Sequence, residues 1–256
     1  MSEILRCENV IVSFGGVIAC NNITLGIEEG KVVGLIGPNG AGKTTLFNVL
    51  TRFQDCDEGK LFFDGRDIGR HKPHEMAPLG MARTFQNINL FSEQSTLSNI
   101  LIGAHHRIGN PFANMFGLPS ARSNERALVE KAEYIAEMLR LTDDLDNPVK
   151  NLPYGHQKRV EMARALAGDP RIILLDEPVA GCNDEETADL KEIVRRVNQD
   201  LGITVFLVEH DMSMVMSICD HIYVINFGAN LAEGTPAEIQ QNPEVIKAYL
   251  GEEEDA

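Results

Sequence analysis

Residues 32–36, Val-Val-Gly-Leu-Ile, lead directly into Gly37-Pro38-Asn39-Gly40-Ala41-Gly42-Lys43-Thr44-Thr45, and an apolar segment continues to Leu50. The short β-forming run predicts a buried strand, and the residues from Thr44 to Leu50 predict a helix. The stretch between them has the spacing G-x-x-x-x-G-K-T, in which glycines let successive backbone N–H groups turn inward around phosphate oxygens. The start of the following helix adds its partial positive charge. The Lys43 amine is then placed to reach β- and γ-phosphates, and the Thr44 hydroxyl to ligate Mg2+. A strand, phosphate loop and helix in that order constrain the chain to an α/β fold with ligands at the carboxyl ends of a parallel sheet.

The remaining pattern agrees with that constraint. At 256 residues the chain has room for one large domain or one domain with an inserted lobe. Before the phosphate loop, β-rich runs at 10–14 and 23–27 are separated by Gly15-Gly16 and followed by Gly30, and another run follows at 61–63 after the turn at 57–59. From about 90 to 151 helical spacing takes over, with Leu128, Ala132, Ile135 and Leu139 on one face of 125–141 and a loop expected at 111–123. Apolar runs at 172–175, 204–208 and 222–225 read as further strands. Between the first two of these, Asn183 and Glu186 form a capping-box start for a helix whose core face is Leu190, Ile193, Val194 and Val197. Thr235-Pro236 with Glu238, and Asn242-Pro243, mark two more helix starts; the last helix ends near Leu250, before a solvated acidic tail at 252–255. The expectation is a single domain: a nucleotide-binding core at 1–87 and 167–229, with a mostly parallel sheet and an N-terminal antiparallel β portion. An inserted helical lobe spans 88–166, and C-terminal helices with the tail span 230–256.

Charge narrows the function. With 23 Lys and Arg against 38 Asp and Glu the net charge is −15, which lacks the basic footprint of a nucleic-acid binder. No apolar run approaches the roughly 18 residues of a spanning helix, and the first residues carry no signal-peptide run, so a cytoplasmic chain is expected. Five cysteines without paired spacing predict reduced, mostly buried thiols rather than disulfides or a zinc site.

Two further segments carry chemistry. Ile172-Ile-Leu-Leu-Asp176-Glu177-Pro178 ends a buried strand in adjacent carboxylates, whose side chains face opposite ways. Asp176 suits holding Mg2+, and Glu177 suits orienting or deprotonating an attacking water. Val208-Glu209-His210-Asp211 closes the next strand and brings His210 to the same crevice. His71, His74, His105, His106 and His221 have no Cys or carboxylate cluster and read as ordinary side chains.

In combination these residues resemble the ATP-binding subunits of ABC transporters across nearly the whole chain. The resemblance implies ATP and Mg2+ as ligands. It places Gln86 of Arg83-Thr-Phe-Gln86 as the glutamine that joins core to lobe, contacts Mg2+ and water, and touches the membrane partner. It makes Leu152-Pro153-Tyr154-Gly155-His156-Gln157, with its helix through Arg164, the signature segment facing the ATP of an opposing subunit, and Ala180-Gly-Cys182-Asn183 the D-loop. Phe14 lies where the family stacks an aromatic on adenine; its alternation with Val12 equally suits a core strand residue.

Phe14-Gly-Gly, Ala82-Arg-Thr-Phe-Gln86, Val208-Glu-His-Asp-Met212 and the stretches 232–236, 242–245 and 248–251 are similar to the subgroup serving branched-chain amino-acid importers. That subgroup implies integral membrane permeases, a second ATPase in a homo- or heterodimer, an external solute-binding protein, and residence at the cytoplasmic face of the inner membrane. Urea or amide importers and lipopolysaccharide exporters share part of the wording. A non-transport ABC ATPase acting on nucleic acid usually joins two such domains in one chain; a module that binds without hydrolysing sits poorly with Lys43, Asp176, Glu177 and His210. Two departures stand out. Pro153 replaces the usual Ser and His156 the usual Gln, so hydrogen bonds of roughly 0.5–3 kcal/mol are expected to be missing at the opposing ATP. In the D-loop, Asn183 stands where Asp is frequent, and Cys182 reads as a small hydrophobe.

Overall fold

The structure, a computed structural model, describes residues 2–105 and 119–250. Its first part alternates β1 (Glu3–Phe14), β2 (Val17–Glu28), β3 (Val32–Ile36), α1 (Lys43–Leu50), β4 (Glu58–Phe63), β5 (Arg66–Asp67), α2 (Pro73–Leu79) and β6 (Met81–Arg83). Three helices follow, α3 (Thr96–Gly103), α4 (Pro119–Met138) and α5 (Tyr154–Ala167). The chain then returns to β7 (Ile172–Asp176), α6 (Asp184–Leu201), β8 (Thr204–Val208), α7 (Met212–Ile218), β9 (His221–Asn226), β10 (Ala229–Gly234), α8 (Pro236–Gln241) and α9 (Pro243–Leu250).

The strands form a four-stranded sheet in the order β2-β1-β4-β5 and a six-stranded sheet in the order β10-β9-β3-β8-β7-β6. The small sheet is antiparallel throughout. In the large one β9, β3, β8, β7 and β6 run parallel, and only the edge pair β10–β9 is antiparallel. Every residue of β3, β7 and β8 is buried, as a parallel sheet covered on both faces requires.

Because side chains alternate along a strand, these strands feed two cores. Val33, Leu35, Leu174 and Phe206 face the small sheet and α1, where the Phe47 and Phe206 rings stack with centroids 5.7 Å apart. Val32, Ile36, Ile173, Leu175, Val205 and Leu207 face the other way, sharing one core with α3, α4, α5 and α6. The α/β expectation, the antiparallel N-terminal portion and the inserted helices are all present.

Differences are local. The runs read at 10–14 and 23–27 are the apolar parts of twelve-residue strands, whose polar residues and register shifts, such as that between Cys7 and Val10, break the alternation. β6 and β10 lie at the two edges of their sheet; one is three residues long, and the other reads Ala-Asn-Leu-Ala-Glu-Gly. The loop expected at 111–123 is overturned for 119–123, which open α4 with Pro119 as its first residue, a position where the missing N–H costs nothing. Residues 111–118 and the acidic tail lie outside the described residues. Cys7, Cys20 and Cys219 are buried, and Cys56 and Cys182 half-buried. Desolvation pushes Cys7 and Cys219 up to about 12 and Cys20 to about 11, so these three thiols stay protonated.

Helix α3 approaches α5 at Gly103, where a Cβ would overlap the carbonyl oxygen of Arg164. Gly103→Ala therefore forces the two helices apart, and urea denaturation is expected to show a loss of about 1–3 kcal/mol.

Candidate functional site

The phosphate loop is wedged between the two sheets. A Cβ at Gly37 would overlap the Ile225 carbonyl, and one at Gly42, where φ is +99°, the Ala19 carbonyl. Only glycine satisfies both the backbone angle and the space at Gly42. Asn39 and Gly40 are exposed at the tip, Pro38 and Ala41 are buried, Thr44 is exposed and Thr45 half-buried. Lys43 is 5% exposed. Its Nζ donates to the carbonyls of Gly37 and Pro38 at 2.7 and 2.8 Å, so the amine is folded onto its own loop.

Opposite, β7 ends in Asp176, buried, and the chain turns at Glu177 with φ +48°. A non-glycine residue there is strained; the turn is held by the Glu177 N–H donating to the Val208 carbonyl at 3.0 Å. Its effect is to aim the Glu177 carboxylate outward, where Oε1 meets His210 Nε2 at 2.9 Å and Oε2 accepts from Gln86 Nε2 at 2.8 Å. Three residues that sequence reasoning drew from separate segments thus share one carboxylate. Asp176 points elsewhere, its Oδ2 ion-paired to Arg83 at 2.9 Å. Burial raises the Asp176 carboxyl above its ordinary value, and Arg83 opposes the shift.

Two supporting residues were missed by sequence reasoning. Lys158, buried on α5, donates to the carbonyls of Gln86 at 3.2 Å and Glu177 at 3.4 Å, fastening both flanks of the triad. Glu209 is 3% exposed and accepts the N–H groups of Val179, His210 and Asp211 at 2.9, 3.0 and 3.3 Å. It ties the loop after β7 to the loop after β8. Desolvation raises its carboxyl, against the lowering effect of those amides. An acid adjoining the apolar run of β8 was the available signal for Glu209; nothing in the sequence marked Lys158.

The Pro153–His156 segment is placed apart from that triad. Pro153 is the N-cap of α5 and makes no side-chain cap; the Gly155 N–H donates instead to Glu186 Oε1 at 3.2 Å. The other oxygen of Glu186 accepts the Asn183 N–H at 3.0 Å, and Asn183 Oδ1 accepts the Glu186 N–H at 3.0 Å. The capping box read at Asn183 therefore also closes the N-terminus of α5, at an amide that Pro153 offers no side-chain acceptor. His156 Nδ1 lies 2.6 Å from Asp144 Oδ2, and Tyr154 lies 5.7 Å over Lys158 Nζ. Phe14 is 50% exposed at the end of β1, so the core reading is set aside.

The chain is similar in sequence and fold to known proteins. The ABC transporter family model matches residues 20–180, and that of the branched-chain amino acid ATP-binding cassette transporter matches residues 229–255. The chain is 46% identical over 250 residues to the high-affinity branched-chain amino acid transport ATP-binding protein BraF of Pseudomonas aeruginosa, covering 97% of this chain and 98% of that one. It is 39% identical over 250 residues to LivG of Escherichia coli, with the same coverages. Among solved structures, the ADP conformation of MJ1267, an ATP-binding cassette of an ABC transporter, superimposes with a TM-score of 0.85 at 35% identity over 98% of this chain and 100% of that one.

The raised Glu209 carboxyl has a sign in pH. An acid with a folded value above its unfolded one binds more protons when folded, so its contribution to stability falls as pH rises from the unfolded value through the folded one. Subtracting the unfolding free energy of Glu209→Gln from that of the parent across pH 4–8 is expected to give a difference that declines with pH. A rising difference would contradict the burial effect.

Proposed function

The chain belongs to the ABC transporter family of ATP-binding subunits, and we propose from that premise that it hydrolyses ATP to power uptake of branched-chain amino acids through a membrane permease. The observation that carries the ATPase reading is the Glu177 carboxylate held between His210 and Gln86 at 2.9 and 2.8 Å, across the sheet edge from the phosphate loop. The solute class is supported by the relatives' names and the C-terminal match at 229–255.

ATP lies with its phosphates on Gly37, Pro38, Asn39, Gly40, Ala41, Gly42, Lys43, Thr44 and Thr45, and its adenine against Phe14. Lys43 exchanges its two carbonyl acceptors for phosphate oxygens, which as charged partners bind an ammonium more strongly. Glu177 takes the proton of the attacking water, and His210 holds that carboxylate in place. The Thr44 hydroxyl, the Gln86 amide and Asp176 form an oxygen-only donor set, the kind Mg2+ prefers. Among the described residues Asp176 Oδ1 keeps no hydrogen bond, since only Oδ2 is engaged by Arg83. No group of three or more His, Cys, Asp or Glu among the described residues suits a metal by itself; Thr44, Gln86 and Asp176 would hold the ion together with the nucleotide. Bound there, Mg2+ neutralises phosphate charge.

Among the described residues no helix is long and apolar enough to cross a membrane; membership of the family supports attachment through the permease, at the cytoplasmic face. Its docking place is the cavity of about 310 Å³ between core and lobe, lined by Phe53, Met81, Phe85, Ile102 and Arg164 and adjoining Gln86. The division we propose has 1–87 and 167–229 binding nucleotide and 88–166 meeting the permease; of the stretch 230–256 read as C-terminal helices and tail, residues through Gly234 belong to edge strand β10 of the core sheet. A second ATPase subunit presents its phosphate loop to Pro153, Tyr154, Gly155 and His156 of this chain, with Asn183 of the D-loop beside them, and an external solute-binding protein delivers the cargo. The charge of −15 argues against nucleic acid as a partner.

Glu177→Gln is expected to lower ATP turnover by at least about a hundredfold while ATP binding persists; unchanged turnover overturns the assignment. Pro153→Ser restores a cap hydroxyl worth about 0.5–1.5 kcal/mol to the signature helix and is expected to raise ATP-dependent pairing or turnover in the assembled complex a few-fold. No gain would show that Glu186 already supplies what the hydroxyl would.

A further inference from the structure

Arg83 ends β6 with its side chain only 8% exposed. Nη2 donates to Asp176 Oδ2 at 2.9 Å, and Nη1 to Asn48 Oδ1 and Thr51 Oγ1 at 2.7 and 2.8 Å. The guanidinium carbon lies 5.0, 5.3 and 4.9 Å from the ring centroids of Phe47, Phe53 and Phe85. Phe53 and Phe85 themselves meet edge to face at 5.3 Å. Nε has no partner among the described residues. A buried cation is costly unless paired and stacked, and this one is placed where three elements converge. Asn48 is on α1, the helix that begins at the phosphate loop, with Thr51 just past its end; Asp176 ends β7; Phe85 is the neighbour of Gln86. Phe53 and Phe85 also line the cavity between core and lobe.

We infer that Arg83 is a positioning residue: it fixes the Asp176 carboxylate relative to α1, and through Phe53 and Phe85 it makes that placement respond to the permease segment that fills the cavity. The inference rests on the nucleotide-binding reading above. Arg83 itself touches no part of the phosphate loop, so its influence on the metal runs through Asp176. The planar fork is essential, because three acceptors on two elements are reached at once while both faces remain free for rings. A lysine keeps the charge but is a point donor without the fork or the flat surface. An apolar side chain would fill the cage yet leave Asp176 buried without its counter-ion. The cavity's two aromatic walls are the faces on which the guanidinium rests, so a partner that shifts either ring shifts the cation and the carboxylate it holds.

The test uses the complete chain and reads ATP affinity by calorimetry, once in excess EDTA and once while Mg2+ is titrated. Arg83→Lys is expected to leave the EDTA affinity unchanged and to raise the Mg2+ concentration at half-effect by about tenfold. Phe53→Leu and Phe85→Leu leave Arg83 and Asp176 chemically intact and are expected to move the Mg2+ midpoint in the same direction by a smaller factor. These two decide the matter if Arg83→Lys does not fold. An unmoved Mg2+ midpoint with a lowered melting temperature makes Arg83 merely structural and overturns the inference. An equal loss of affinity in EDTA also overturns it, since the defect then lies in the phosphate loop. A parent chain that binds no ATP in either condition removes the proposed function instead.

Discussion

The pairing of β7 with β8 is the contact on which the carboxyl edge of the sheet depends. Its parallel register sets Asp176 beside Val208, and the next N–H, from Glu177, closes on the Val208 carbonyl. That bond turns the chain at Glu177 through a left-handed backbone angle and throws its carboxylate toward the loop after β8. A slip of one residue would exchange the faces of every side chain on β7, burying Glu177 and turning Asp176 away from Arg83. The same slip would push Ile173 and Leu175 out of the core shared with the helices. Apolar packing on both faces therefore fixes, to one residue, where the Asp176 and Glu177 carboxylates stand.

With that edge fixed, the electrostatics follow from burial. Lys43, Lys158, Arg159, Asp176, Glu161 and Glu209 are all buried, and the Arg83 side chain is largely covered, in a chain whose net charge is −15. Each is answered locally: Lys43 and Lys158 by backbone carbonyls, Arg83 by Asp176, Arg159 by Asp189 at 2.8 Å. Glu209 and Glu161 are answered by backbone amides, the latter by that of Phe85 at 3.2 Å. Such groups lose most of their worth if a partner moves, because an unmatched charge in a low dielectric is costly. The buried part of the site is accordingly tied down by its own contacts, and Gln86, His210 and Thr44 lie at its exposed rim.

How much of this was legible in the sequence depended on whether the cause was local. β3 and β8 were bounded correctly because each is a short run of four apolar residues with one small residue, Gly34 or Thr204, ending sharply at Gly37 or Glu209. The face of α6 and the caps at Asn183 and Thr235 were legible because they span only one or two turns of helix. Gln86, Glu177 and His210 were found through motif order, and the fold brought them to one carboxylate. Lys158 escaped because its acceptors are 72 and 19 residues away, and a lysine on an amphipathic helix reads as solvated. Arg83 escaped because a three-residue edge strand carries no periodicity. Phe14 was ambiguous for the opposite reason: alternation along β1 holds at Val10 and Val12, but the strand runs out of the core at its last two residues.

The signature segment shows how a local departure is absorbed at a distance. A proline at the N-cap keeps the extended backbone a helix start needs, with φ −54° and ψ 152°, but offers no side-chain oxygen to the amide two residues on. That amide belongs to Gly155, and the oxygen comes from Glu186, 31 residues later. The close approach suits a glycine at 155, since a Cβ there would lie 2.5 Å from Glu186 Oε1 and would push that carboxylate off the amide. It also requires Asn183, whose capping box holds Glu186 in the rotamer that faces both amides. Pro153, Gly155, Asn183 and Glu186 thus form one unit, in which the proline is tolerable because the D-loop side supplies the cap. The cost falls on independence: the N-terminus of α5 is no longer closed by its own residues, and it moves with the start of α6.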